Sequence, residues 1–147
     1  MIISAQLHHL DGIADIENSA FKKPWSKAQI QSDIQSEMDS ENWVYLMDEL
    51  VVGYIFGWII LDELHLNNIA VHLGYLRRNI GKELIQHIIS RVISHDIKVV
   101  LLEVSANNIP AQKCYQSLGF TQMGVRKDYY SKGDNAILYK LDLITNG

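Results

Sequence analysis

Hydrophobic side chains recur along the chain at two spacings, which separate predicted helices from predicted strands. A spacing of three to four residues, typical of one buried helical face, occurs in four segments. These helices begin near Asp11, Ser26, Ile80 and Asn108. Runs rich in β-branched and aromatic residues predict seven strands, at residues 2–6, 42–47, 50–61, 63–71, 99–104, 120–129 and 135–143. The order β-α-α-β-β-β-α-β-α-β-β predicts an α/β fold with one mixed sheet and helices on both faces.

Short polar motifs set the ends of the predicted helices. Asp11 is the predicted N-cap of the first helix. Ser26 and Gln29 have the spacing of a capping box at the start of the second. In the fourth helix, Pro110 fits only the first turn, and Gly119 is the predicted C-terminal cap.

Length and composition narrow the class of protein. The 147 residues contain 48% hydrophobic and 20% charged residues and no linker-like segment, so one domain spanning residues 1–147 is expected. No stretch of about 18 apolar residues predicts a membrane span, and the N-terminus does not resemble a secretory leader. The single cysteine, Cys114, agrees with a reducing cytoplasm. A cytoplasmic protein, most simply a monomer, is therefore expected.

The charge and histidine distributions argue against two classes of ligand. Thirteen Lys plus Arg against seventeen Asp plus Glu give a net charge of −4, so nucleic acid is not expected as a partner. Six histidines are scattered without a metal-ligand spacing. No metal site is predicted.

A basic loop precedes the third helix and is a candidate phosphate site. Arg77, Arg78 and Lys82 supply three cations, and Gly81 permits close approach of a ligand to the main chain. Unpaired N–H groups at a helix N-terminus attract anions. The loop sequence alone is equally compatible with a solvated turn that carries chance basic residues.

Glu103 is the only charged residue in the apolar run from Val99 to Val104. Such a run is typical of a central strand covered on both faces, where Glu103 shares a face with Val99 and Leu101. A buried carboxylate without partners should have a raised pKa and could serve as a general base. The alternative is a glutamate at the strand end that is already in solvent.

Two residues near the fourth helix have simple structural interpretations. Tyr115 lies on the apolar stripe of that helix, where a tyrosine is more often a core residue than a catalytic acid. Asn108 is sufficiently explained as a helix cap.

Residues 101–120, LLEVSANNIPAQKCYQSLGF, carry a resemblance to a known family. They resemble the strand-helix signature of GNAT-superfamily N-acetyltransferases, and more closely the bacterial ribosomal-protein-alanine N-acetyltransferases of the RimI type. The similarity covers nearly the whole chain. Its other parts are Phe21 with Pro24-Trp25-Ser26, residues 68–71, Arg77-Arg78 with Gly81, Arg126 through Tyr130, and Asn135-Ala136-Ile137.

The resemblance implies the GNAT fold, in which the strands at 64–71 and 99–104 splay apart around acetyl-CoA. The main chain of Ile69, Ala70 and Val71 would pair with the pantetheine arm and polarise the thioester carbonyl. The implied pyrophosphate site consists of Arg77, Arg78, Asn79, Ile80, Gly81 and Lys82, with Asn108 contacting the cofactor on the far side. Glu103 would be the proton acceptor and Tyr115 the proton donor, with Cys114 not needed as a nucleophile.

Two positions depart from the family loop. Leu76 stands where a polar residue is usual, and Asn79 replaces a glycine. Asn tolerates left-handed dihedral angles better than other non-glycine residues, so the turn is expected to persist. Leu76 cannot donate a hydrogen bond, which predicts a weaker contribution of this position to cofactor binding.

The resemblance implies an acceptor as well as a reaction. It is the N-terminal α-amine of a ribosomal protein, specifically the N-terminal alanine of small-subunit protein eighteen. A basic N-terminal tail would suit acidic residues such as Asp62 and Glu63, if these border the peptide channel. Two alternatives remain, an acetyltransferase acting on a small-molecule amine or lysine side chain, and a non-catalytic acyl-CoA-binding module.

Overall fold

A computed structural model describes residues 1–36 and 39–143, in which a seven-stranded mixed sheet has the order β1-β2-β3-β4-β5-β7-β6. Residues 37–38 and 144–147, part of the predicted domain, lie outside the described residues. The strands are β1 (Ile2–Ser4), β2 (Ser40–Met47), β3 (Leu50–Ile60), β4 (Glu63–Val71), β5 (Val99–Ser105), β6 (Thr121–Ser131) and β7 (Asp134–Asp142). The helices are α1 (Leu10–Ala20), α2 (Lys27–Ile34), α3 (Ile80–Val92) and α4 (Ile109–Ser117).

The helices cover both faces of the sheet, which confirms the predicted α/β architecture. Helices α1 and α2 bury Ile13, Ile16 and Ile30 against one face, together with Tyr54 and Phe56 of β3. Helices α3 and α4 pack on the opposite face, where a second core cluster joins them to β3, β4, β5 and β7. Within the described residues, no helix is long and apolar enough to cross a membrane.

The predicted start of α1 is wrong. His9, not Asp11, occupies the N-cap, because a 3-10 turn over Leu7–His9 leads directly into the helix. The main-chain N–H of Gln6 donates to Nδ1 of His9 at 2.9 Å, which holds this turn. Asp11 instead lies in the first helical turn and pairs with Lys27 of α2 at 2.8 Å.

Strands β2 and β3, both predicted, form an antiparallel hairpin around a turn of unfavourable sequence. Asp48 and Glu49 both have positive φ angles, 50° and 65°. Two-residue hairpin turns of type I′ require this conformation, which normally selects Asn-Gly. The long antiparallel pairing of the two strands offsets the local cost of left-handed residues without glycine.

A bulge on β4 marks the point at which two central strands separate. Phe56 of β3 pairs with Asn68 and Gly57 pairs with Leu66, so Asn67 is the extra residue. The parallel ladder between β4 and β5 runs only from Glu63–Val99 to Leu66–Leu102. Beyond this point the two strands are no longer paired, which confirms the predicted splay.

Strand β5 is central, as predicted, but it is not covered on both faces. Val100, Leu102 and Val104 are buried against the α3 side of the sheet. Leu101 and Glu103 are only half-buried, because a cavity separates this part of the opposite face from helix α2.

The capping box of α2 is a testable contribution to stability. Ser26 Oγ accepts from the N–H of Gln29 at 3.2 Å, and Gln29 Oε1 accepts from the N–H of Ser26 at 3.1 Å. Ser26→Ala removes the first bond and should lower the free energy of unfolding by about 1 kcal/mol in urea titrations. Ser32→Ala makes the same chemical change inside α2 and should not destabilise, since alanine favours helix interiors. Equal losses in the two variants would contradict the capping role.

Candidate active site

A cavity of about 710 Å³ opens on the α1–α2 face of the sheet, where β4 and β5 separate. Its lining comes from three parts of the chain: the region of α2, strands β3 to β5, and strands β6 and β7. Helix α2 contributes Gln29, Ser32 and Asp33, and Trp25 precedes that helix. Strands β3, β4 and β5 form the floor, and β6 and β7 form the opposite wall. A cleft of this volume accommodates a small ligand or a short peptide segment.

Glu103 lines this cavity and has a charged partner. Its Oε1 lies 3.5 Å from Arg126 Nη2, and its side chain is 28% exposed. The assumption of a carboxylate without partners is therefore wrong, because β6 brings Arg126 across from a distant part of the sequence. Arg126 also lies over the ring of Tyr129, 5.4 Å from its centroid, which is within the reach of a cation–π contact. The guanidinium of Arg126 thus places a positive charge beside the carboxylate of Glu103.

Tyr130 lies close to both proposed proton-transfer residues. Burial, and next the charge of Glu103, raises its pKa to about 12, so its hydroxyl stays protonated at neutral pH. Its charged form would also raise the pKa of Tyr115. Tyr130 also lines the cavity, and spacing alone did not single it out.

Tyr115 lies on the other side of the sheet from Glu103. It is 6% exposed and packs against Phe120 and Tyr139, with ring centroids 6.0 and 6.3 Å away. Burial, and next the thiol of Cys114, raises the pKa of Tyr115 above the ordinary phenol value. Its hydroxyl therefore carries a proton at neutral pH. Glu103 and Tyr115 do not share the cavity, so any reaction that used both would occur across the gap between β4 and β5.

The basic loop before α3 has the backbone conformation of an anion site. Asn79 is the N-cap of α3 with φ 62° and ψ 19°, which confirms that asparagine sustains the left-handed turn. Arg77 is left-handed too, with φ 63°. Left-handed residues beside a helix start turn successive N–H groups to one side, and such concavities bind anions. The side chains of Arg77 and Arg78 are exposed, with Arg78 over the ring of Tyr75 at 5.0 Å.

The remaining predicted cofactor residues lie on the same side. Ile80 is buried, whereas Gly81 and Lys82 in the first turn of α3 are half-buried. Burial raises the pKa of the Cys114 thiol in the middle of α4, and the nearby charge of Lys82 partly opposes this rise. Asn108 Oδ1 accepts from the N–H of Ala111 at 3.2 Å, so its capping role is present. Leu76 is 52% exposed and supplies no polar group.

The main chain of Ile69, Ala70 and Val71 lies just past the bulge. These residues pair with β3 on one edge of the strand. On the other edge the ladder with β5 has already ended at Leu66. Main-chain groups in that position, facing a gap between strands, can pair with an extended ligand.

Several cavity residues were not found by pattern analysis. Trp58, His65 and Asn67 line the cavity from β3 and β4, and only their shared position beside the bulge marks them. Asp62 and Glu63, considered as residues that could border a peptide channel, are not among the described residues that line this cavity, whereas Asp33 and Glu103 are. Glu63 reaches the wall indirectly, through its 3.0 Å contact with His65.

The sequence and the fold match one family of enzymes. Residues 10–120 match the Acetyltransferase (GNAT) family, to which this chain belongs. It is an acetyl-CoA-dependent N-acetyltransferase.

Within this family, the chain is similar to several N-acetyltransferases of ribosomal proteins. The chain is 32% identical to the [Ribosomal protein bS18]-alanine N-acetyltransferase of Escherichia coli strain K12, over 90% of this chain and 88% of that protein. It is 31% identical to the protein of the same name from Haemophilus ducreyi, over 88% and 90%. The crystal structure of the ribosomal-protein-S18-alanine N-acetyltransferase from Escherichia coli superposes with a TM-score of 0.90 at 29% identity, covering 100% of this chain and 96% of that one.

The left-handed Asn79 gives a test of the phosphate loop. Asn79→Gly should retain CoA affinity within about two-fold, because glycine adopts positive φ freely. Asn79→Val should lower the free energy of unfolding by about 1–2 kcal/mol, since a branched side chain strains this conformation, and should weaken CoA binding. Calorimetric titration with CoA and urea unfolding measure the two effects. Undiminished CoA binding by Asn79→Val would show that the turn does not form the phosphate site.

Proposed function

We propose that this enzyme acetylates the N-terminal α-amine of a ribosomal protein, the alanine of small-subunit protein bS18. The relatives bear that activity in their names and align over nearly their full length. The observation that carries the proposal is the position of Glu103, which faces a peptide-sized cavity where the β4–β5 ladder ends. A base at that point is accessible from the cavity and adjacent to the gap proposed for the cofactor.

The residues on the α3 side fit the phosphate and pantetheine parts of acetyl-CoA. The left-handed loop at Arg77 and Asn79 offers main-chain N–H groups and nearby cations for the pyrophosphate. The free edge of Ile69–Val71 offers donors and acceptors to the amide-containing arm. Asn108 closes this site on the α4 side. When bound, acetyl-CoA supplies the activated acetyl group.

Glu103 is the proposed general base. An α-ammonium group has a pKa of about 8 and must lose a proton before its nitrogen can attack a carbonyl carbon. The carboxylate of Glu103, which lies beside Arg126, accepts this proton directly or through water. A main-chain N–H in the segment Ile69–Val71 is the proposed donor to the developing oxyanion.

Tyr115 is the proposed proton donor to the departing thiolate. It is buried on the α3–α4 side, where solvent cannot readily supply a proton. Its raised pKa keeps the hydroxyl protonated until a strong base forms beside it. Tyr130 also keeps its proton at neutral pH and is near enough to Tyr115 and Glu103 to interact electrostatically with both. The two proton transfers are thus separated by the sheet, with the acid on the cofactor side and the base on the acceptor side.

The cavity wall suits a short peptide with positive charge. Aromatic side chains at Trp25, Trp58 and Tyr129 offer flat apolar surfaces to a peptide backbone. Asp33 provides a carboxylate on α2 that a basic side chain can approach. Burial raises the pKa of Asp33, and a cation placed beside it would favour its ionised form.

Replacement of the proposed base separates chemistry from binding. Glu103→Gln should lower kcat by about 100-fold or more at pH 7, because general-base catalysis contributes at least that much. CoA affinity, measured by calorimetry, should stay within about two-fold. The matched control is Glu63→Gln on the neighbouring strand, which should retain wild-type kcat. Undiminished turnover by Glu103→Gln would rule out Glu103 as the base.

The acceptor itself is testable with peptides and cells. Purified enzyme with acetyl-CoA should acetylate a peptide carrying the bS18 N-terminus, and not the same peptide with a blocked α-amine. Mass spectrometry of ribosomal proteins should show unacetylated bS18 after deletion of the gene. Turnover of polyamines or lysine side chains, with no activity on the peptide, would instead favour a small-amine or lysine acetyltransferase.

A further inference from the structure

Glu17 is a buried carboxylate that the proposed chemistry does not use. It lies in the last turns of α1, is 1% exposed, and accepts hydrogen bonds from three separate elements. Its Oε2 accepts from the main-chain N–H of Trp25 at 2.8 Å. Its Oε1 accepts from the hydroxyl of Tyr54 and from Nδ2 of Asn68, the latter at 2.5 Å.

The bond to Trp25 fixes one wall of the acceptor cavity. The segment between α1 and α2 has no regular secondary structure, so its position depends on such contacts. Trp25 lines the cavity and packs edge-on against Phe56, with ring centroids 6.2 Å apart. A carboxylate that holds the Trp25 main chain therefore also sets the position of its ring and the start of α2.

The bond to Asn68 fixes the strand on the cofactor side. Asn68 immediately follows the bulged residue Asn67 and precedes Ile69, the first of the proposed pantetheine-binding residues. At this position β4 no longer has β5 as a partner, because their ladder ended at Leu66. Its side-chain amide gives the unsupported part of β4 an anchor in α1.

The chemistry of a carboxylate suits this position better than that of its amide analogue. An ionised carboxylate only accepts, so three converging donors can all be satisfied. Burial, and next the bond to Glu17, raises the pKa of Tyr54, so its hydroxyl remains a donor. A glutamine at position 17 has one oxygen and one NH₂, and its NH₂ would face at least one of the three donors.

We propose that Glu17 is a positioning residue that sets the acceptor wall and the cofactor strand in one fixed arrangement. It does so through Trp25 on one side and Asn68 on the other. The inference deepens the proposed function and rests on it for the identity of the acceptor. The part of the proposal that concerns Asn68 and CoA binding does not depend on which acceptor the enzyme uses.

The first test uses Glu17→Gln. The glutamine side chain keeps two of the three hydrogen bonds when its oxygen faces Tyr54 and Asn68. Its NH₂ group then faces the main-chain N–H of Trp25, and that bond is lost. The KM for the acceptor peptide should then rise by at least about ten-fold, the effect of losing a buried bond to a charged group. Ile13→Val, a buried change one turn earlier in α1, is the control for lost stability and should keep both KM values.

Assays are run at a temperature at which urea unfolding shows every variant to be folded. A Glu17→Gln enzyme that is less stable, but has wild-type KM values for peptide and acetyl-CoA, would overturn the proposal. It would then be a purely structural residue.

The second test uses Asn68→Ala, which keeps the carboxylate and two of its donors and serves even if Glu17→Gln does not fold. Calorimetric titration should show at least about five-fold weaker CoA binding, because the free part of β4 loses its anchor. Unchanged CoA affinity would overturn the proposed role of Glu17 in positioning the cofactor strand through Asn68. A wild-type enzyme that binds CoA but ignores the bS18 peptide would refute the proposed acceptor while leaving this test valid.

Discussion

The early end of the β4–β5 ladder is the constraint on which the rest of the site depends. Four residue pairs, the last of them Leu66–Leu102, hold two parallel strands in the middle of the sheet, and the bulge at Asn67 then directs β4 away. Parallel neighbours normally continue to pair, because unpaired main-chain groups in a protein interior are costly. Here the unpaired groups face a gap, where a ligand can satisfy them. The same break leaves Glu103 next to that gap, where its side chain lines the cavity below α2.

A sheet that is opened in its centre needs support from other elements. On one face α3 packs along β4 and β5 with a continuous row of buried aliphatic side chains. On the other face a polar anchor adds to the apolar packing of α1 and α2, because Glu17 gathers donors from the segment before α2, from β3 and from β4. Hydrogen bonds have fixed directions, whereas apolar contacts tolerate small shifts, so a polar anchor suits the place where position matters most.

Local signals predicted the parts of the structure that depend on neighbouring residues. Ser26 and Gln29 form the capping box that their spacing indicated, and Asn79 takes the left-handed conformation at the start of α3. The α1 boundary was wrong because Asp11 satisfied the rule for an N-cap while the 3-10 turn upstream extended the helix past it. In the β2–β3 hairpin, strand pairing prevailed over an unfavourable turn sequence.

The sequence by itself determined the order of elements, the mixed sheet with helices on both faces, and the face of β5 on which Glu103 lies. These properties follow from the spacing of hydrophobic residues, every two residues in strands and every 3.6 in helices, which depends only on residues close together in the sequence. Only the tertiary structure decided the partner of each polar group. Arg126 meets Glu103 from another strand, and Asn68 reaches Glu17 across 51 positions of sequence. Pairings of that kind depend on how strands are ordered and where a bulge falls, and neither is a property of a local segment.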